Sequence, residues 1–214
     1  MRDATEQLRQ RRTYHHGDLR QALLDAGVAL ARAGGPEAVV LREATRRAGV
    51  VPNAAYRHFA SRQALLQSVR ASALAALALA MEQELRRQQR GKHAADAARA
   101  GLRAIGTAYL RFARTEPGLF RTAFAAPGEA ETTDNQAMAG TSGLNPFQLL
   151  SAALDGLVEA RLLPRERRAG AEYLAWSAVH GLAMLVLEGP LRRLTRAQAR
   201  GIEQRLLAMV EQGL

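Results

Sequence analysis

The sequence contains no cysteine. Disulfides, thiolate nucleophiles and cysteine-bound metals are thereby excluded, and the lack suits a reducing compartment. Lysine is almost missing: Lys92 stands alone, so arginine supplies 29 of the 30 basic side chains. Aromatics are scarce, with five Phe, four Tyr and one Trp in 214 residues. Alternating β-branched runs are missing too, and Val39-Val40-Leu41 is the one short stretch with strand character. The longest apolar run, Ala73–Met81, is too short to cross a bilayer. It is apolar on most sides, as a buried helix would be. The first twenty residues are polar, unlike a signal peptide. A soluble cytoplasmic protein with no membrane partner is expected. No Ser/His/Asp order, phosphate-binding glycine loop or carboxylate–histidine metal spacing is present, so no enzyme activity, cofactor or metal is expected. His15-His16 is not a metal pair, because adjacent side chains diverge and no carboxylate or cysteine completes a site.

What is abundant is alanine, leucine and arginine, all strong helix formers. The net charge is +10. Two readings fit it: an arginine-rich solvated surface, or a polyanionic partner whose counterions are released on binding. Residues 1–60 hold ten arginines against six acidic residues, so the excess is spread along the chain and charge alone does not choose.

Hydrophobic periodicity predicts an all-α fold. Residues 1–16 read as a flexible basic arm. A first helix is expected from Gly17 to Ala33, with the stripe Leu19, Leu23, Ala26, Gly27 and Leu30, closed by Gly34-Gly35-Pro36. Short helices follow at Leu41–Ala48 and Pro52–Phe59, then a long one from Arg62 to Arg90 capped by Ser61. Helix is expected again over His93–Thr115, Leu119–Phe124, Asn145–Ala160, Pro164–Glu188 and Thr195–Gln212, with a flexible loop over Ala125–Leu144.

The segment LREATRRAGVVPNAAYRHF, Leu41–Phe59, has the pattern of a helix-turn-helix. Gly49 permits the tight left-handed turn, and Ala44 and Ala48 are small enough for a second helix to cross closely. Val50, Ala54 and either Tyr56 or Phe59 can fill the angle between the helices. Asn53 and Arg57 can reach base edges or phosphates, and Tyr56 and His58 can donate to backbone oxygens. Phe59 is expected in the core; Tyr56 can be core or phosphate contact, and His58 can be plain solvated surface. Arg62 can meet a phosphate, Arg42 and Thr45 face the same groove edge, and Arg9, Arg11 and Arg12 can track the DNA backbone or minor groove.

The strings YHHGDLRQALLDAGVALARAGGPEAVVLREATRRAGV and VPNAAYRHFASRQALLQSV resemble the TetR-type one-component regulators over residues 13–70. The resemblance implies an N-terminal three-helix helix-turn-helix DNA-binding domain at residues 17–62 and a C-terminal helical bundle for ligand binding and dimerisation at 63–214. It places Arg42 and Thr45 near DNA, makes Pro52, Asn53, Ala54, Tyr56, Arg57 and His58 the recognition helix, and gives Arg62 the position of a phosphate-binding lysine. The pattern is broken at Val40 and Val51, which stand where the family usually has helix-capping Thr or Ser. Each missing cap costs about 1 kcal/mol.

Seven of the ten aromatics fall in the body. Trp176 and His180 share a helix face at i, i+4, and WSAVHGLAML resembles the C-terminal part of a TetR subfamily named for its Trp, His and Gly. Tyr109, Phe112, Phe120, Phe124, Phe147, Trp176, His180 and Met184 are candidate lining for a largely apolar small-molecule pocket, with core packing as the alternative for each. A buried His180 needs a polar partner, on a ligand or inside the protein. The resemblance implies a homodimer through the last two long helices, using Gly181, Leu182, Leu185, Leu194, Ile202, Leu206, Met209 and Val210. It further implies a palindromic double-stranded DNA operator and a ligand-responsive regulator, most often a repressor, with the helix from Arg62 as the lever between ligand and DNA.

Overall fold

Glycine and proline divide the chain into helices as the sequence suggests. The structure, a computed structural model, describes residues 16–91, 93–125 and 136–214. Its α-helices are α1 (His16–Gly34), α2 (Leu41–Ala48), α3 (Pro52–Tyr56), α4 (Arg62–Gln89), α5 (Ala94–Thr115), α6 (Pro117–Ala123), α7 (Pro146–Glu159), α8 (Ala171–Leu187) and α9 (Arg196–Gly213). Short 3₁₀ turns occupy Pro36–Ala38, Arg165–Arg167 and Pro190–Arg193. The described residues form no strand, and Val39-Val40 is the extended link into α2. The arm residues Arg9, Arg11 and Arg12, together with His15, lie outside the described residues.

The caps are local and strong. Ser61 accepts a hydrogen bond from the Ala64 amide at 3.1 Å and starts α4. Asn145 with Gln148, and Thr195 with Gln198, form reciprocal capping boxes on α7 and α9. Gly49 ends α2 at φ 69°, a conformation that glycine adopts without a Cβ clash. Three boundaries differ from expectation; one is α6, which begins at Pro117, two residues before Leu119, with proline in its first turn. The recognition helix α3 ends at Tyr56 instead of Phe59, because Phe59 turns away into the core, 2% exposed. Pro164 opens only a 3₁₀ turn, and Gly170 at φ 78° separates that turn from α8.

Helices α1–α3 form a compact unit around Leu23, Leu30, Leu41, Ala44, Ala55 and Phe59, all buried. Burial of each larger side chain contributes about 1.5–3 kcal/mol. Arg20 lies over the Phe59 ring, 5.2 Å from its centroid. The unit rests on α4, where Gly27 of α1 leaves a Cβ no room beside Val69. It also rests on α6. Among the described residues α4 alone is long and apolar enough to cross a bilayer, more than the run Ala73–Met81 implied. Here it is a core helix: Leu65, Val69, Ala73, Leu77 and Met81 are buried, and it packs on α1, α5, α6 and α7. Helices α5, α7, α8 and α9 complete the body.

Candidate DNA-binding surface and effector cavity

Helix α3 presents its outer face to solvent. Asn53, Tyr56 and Arg57 are exposed, His58 and Ala54 are half-buried, and Arg42 is exposed on α2. The side chain of Pro52 is not among those described. Tyr56 is 57% exposed, so the angle between the helices is filled by Phe59 and by Ala55, which sequence reasoning did not single out. Val40 and Val51 are exposed and neither helix they precede has a side-chain cap.

Two predicted DNA contacts make bonds within the protein: Thr45 is buried, and Arg62 is engaged at the surface. Thr45 is 2% exposed and its hydroxyl donates to the Arg42 carbonyl at 2.6 Å, so it offers no surface donor. Arg62 donates to the carbonyls of Val39 at 2.8 Å and Pro36 at 2.9 Å and sits 3.4 Å from Glu37. It ties the start of α4 to the link before α2. Arg46 and Arg47 are likewise bound, both to Glu43, and their hydrogen bonds hold its carboxyl down to about 2. Arg42, Asn53, Tyr56 and Arg57 are left as the outward polar set.

A cavity of about 210 Å³ lies in the body. Leu74 and Met81 of α4, Gly106 and Tyr109 of α5, Phe147 and Leu150 of α7, Trp176 and Val179 of α8, and Leu207 and Val210 of α9 line it, with Phe124 beyond α6. Of the predicted lining, Tyr109, Phe124, Phe147 and Trp176 are in the wall, while Phe112, Phe120, His180 and Met184 are not. Phe112 and Phe120 are core residues, 6% and 0% exposed, and Met184 packs half-buried against the same core.

His180 stands behind the wall. Its Nδ1 lies 2.7 Å from the Tyr109 hydroxyl, and its ring stacks on Phe120 at 5.8 Å. The indole N–H of Trp176 donates to the same hydroxyl at 3.2 Å. The imidazole therefore finds its polar partner inside the protein. Burial lowers His180 below the ordinary histidine value. Burial pushes the Tyr109 phenol up, against a smaller opposing effect of the Trp176 bond, so it stays protonated. Arg103 pairs with Glu211 beside the cavity, joining α5 to α9. Sequence reasoning missed Gly106 and Leu207; a Cβ on Gly106 would collide with Leu207. No local pattern marks that meeting.

Of the predicted dimer residues, Gly181, Leu185 and Met209 are exposed, and Leu194, Ile202 and Leu206 are half-buried. Leu182 is 7% exposed within this chain's own core, and Val210 lines the cavity; both turn inward. Leu174, 65% exposed, extends the outward stripe of α8 toward its start and was missed.

A helix-turn-helix carried on a cavity-bearing helical body is the architecture of a one-component transcription regulator. The profile described as "Bacterial regulatory proteins, tetR family" matches residues 23–69. That described as "Tetracyclin repressor-like, C-terminal domain" matches residues 102–210. The chain belongs to the TetR family of DNA-binding transcription regulators, which are not enzymes. It is similar over 95% of its length to 98% of a protein with unknown function from Rhodococcus sp. RHA1, at 25% identity and TM-score 0.74. It shares the fold of the transcriptional regulator FadR from Bacillus subtilis, solved in complex with stearoyl-CoA, at 12% identity and TM-score 0.64 over 91% of this chain and 98% of that one. The TetR family regulator PfmR from Thermus thermophilus is similar at 20% identity and TM-score 0.55, over 90% and 98%. No curated protein sequence matches the chain.

Proposed function

We propose that this chain is a cytoplasmic, effector-released repressor that binds a palindromic operator as a homodimer. The observation that carries this is the pairing of an outward recognition helix, with Asn53 and Arg57 exposed, and an apolar cavity in the same chain. The proposed division of labour follows the chain: residues 17–62 read DNA, and residues 63–214 bind the effector and the partner. The segment WSAVHGLAML supplies Trp176 to the cavity wall and His180 to the layer behind it, which supports the Trp-His-Gly subfamily. Leu174, Gly181 and Leu185 form an exposed stripe at helical spacing on α8, and Met209 is exposed on α9, which suits a twofold four-helix interface. Effector binding shifts operator affinity by no more than its differential affinity for the two spacings of the recognition helices.

The test is selection of bound sequences from a random duplex pool by the purified protein at near-physiological salt. A recovered palindrome, lost on Asn53→Ala or Arg57→Ala, supports the proposal. Recovery of a single half-site, or of no motif by a folded dimer, refutes it.

A further inference from the structure

The wall of the cavity selects ligands more narrowly than its volume does, and the inference rests on the effector role proposed above. Rings form an unbroken track from the surface inward. Tyr173, 63% exposed, stands 5.8 Å from Phe147. Phe147 is 6.0 Å from Trp176, Trp176 is 6.1 Å from Phe124, and Phe124 is 5.7 Å from Tyr109. Rings at about 4.5–7 Å gain about 0.5–1.5 kcal/mol per pair beyond the area they bury. A planar guest placed among them meets ring faces and edges, whereas an alkyl chain gains area alone.

The charges at the wall are already engaged. Arg103 is paired with Glu211, and the Nε of Arg70 donates to the Ala123 carbonyl at 3.1 Å. A charged ligand would compete with these bonds and give up hydration in a wall that is otherwise apolar. The Tyr109 hydroxyl already accepts from Trp176 and is bonded to His180, so it can offer a guest at most one further polar contact. In size, the cavity of about 210 Å³ exceeds the roughly 150 Å³ that suffices for benzene in an apolar protein interior.

We propose that the cavity takes a neutral, planar aromatic compound of one or two fused rings carrying at most one hydroxyl or N–H group, admitted past Phe147. Calorimetric titration of the full, DNA-free protein with three probes tests this: 2-naphthol, 2-naphthoate (the same rings with a charge) and 1-decanol (neutral without rings). The expected result is saturable binding of 2-naphthol at least tenfold tighter than either of the others. Leu74→Phe and Ala175→Leu, two independent cavity-filling changes, should each weaken it tenfold or more while the circular dichroism stays helical. The proposal is overturned if 2-naphthol fails to saturate, if 2-naphthoate or 1-decanol binds as tightly, or if both filled variants that fold bind 2-naphthol unchanged. Release of the selected operator is read separately. Binding of 2-naphthol without release defeats the effector role and leaves the ligand class standing; release by 1-decanol does the reverse.

Discussion

At the scale of single residues, the carboxylates buried on α4 show how much of this molecule is held by side chains that a hydropathy pattern cannot rank. Glu82 is 4% exposed. It accepts from the amides of Thr141 at 3.1 Å and Ser142 at 2.9 Å and from the Ser142 hydroxyl at 2.7 Å. Burial pushes its carboxyl up, but the bonds from Ser142 and Thr141 outweigh burial and hold it below the ordinary range. Gly140 sits too close to Glu82 to carry a Cβ. The anchored segment leads straight into Asn145 and Phe147 at the cavity rim. Glu82→Ala leaves these donors without their acceptor, so urea unfolding should show a loss of about 1–3 kcal/mol, with faster amide exchange at Thr141 and Ser142. An unchanged exchange rate would mean the segment is fixed by something else. His180 acts through pH. Because burial lowers its value below 6.5, the unfolded chain takes up a proton first. The stability tied to the neutral ring is therefore complete above that value and is lost as pH falls below it. Melting temperature should decline as pH falls below about 6.5, and His180→Gln should flatten that slope. Glu84 follows at lower pH: hydrogen bonds from Arg87, Gln88 and Arg111 overcome burial and hold it down to about 2. Its contribution fades only as pH falls from about 4.5 toward about 2.

At the scale of elements, what could be read in advance follows the range of the forces. Ser61, Asn145, Thr195 and Gly49 act within four residues of themselves, and each marks its boundary where the sequence places it. Pro164 misled because RERRAG carries no apolar stripe to hold a helix, and Gly170 then breaks the run. The intramolecular bonds of Arg62 and Thr45 could not be read in advance, for a different reason. The carbonyls that Arg62 binds lie 23 and 26 residues upstream, placed by the packing of α4 against the α1–α2 link. Thr45 faces inward because α2 packs that side against α1, and its hydroxyl is satisfied by the Arg42 carbonyl one turn back. The aromatic part of the cavity was legible from Trp176, Tyr109, Phe124 and Phe147, but α9's share, Leu207 and Val210, depends on a crossing that no local pattern encodes. The missing cap at Val51 gives the prediction at this scale. The residue is exposed and extended at φ −73°, ψ 145°, a backbone that suits serine. Val51→Ser should raise stability by about 0.5–2 kcal/mol in thermal unfolding and tighten operator binding by adding a phosphate donor. Lower affinity would show that the exposed valine itself contacts DNA.

At the scale of the whole molecule, the DNA-reading unit has two seats. One is α4, along Leu65 and Val69. The other is the seven-residue helix α6. Its Gly118 lies against the Ala31 and Arg32 carbonyls at the end of α1, where a Cβ cannot fit. Arg32 reaches back to Glu116 at 2.8 Å. At its other end α6 delivers Ala123 and Phe124 to the cavity wall. A ligand pressing on Phe124 would thus bear on a short helix whose other end touches α1. The expectation that the helix from Arg62 is the lever gains a second arm. Gly118→Ala should displace α1, weakening operator affinity tenfold or more in a fluorescence-anisotropy titration, while calorimetric binding of the aromatic probe changes little. Equal loss of both would make Gly118 a general packing residue.

The contact at Gly118 also bears on how such proteins can be recombined. A foreign recognition unit spliced onto this body at residue 62 would inherit α4 but would arrive at α6 with carbonyls that were shaped around some other helix. Chimeras that exchange residues 116–124 along with the N-terminal unit should keep their response to ligand; those joined at residue 62 alone should bind DNA and ignore it.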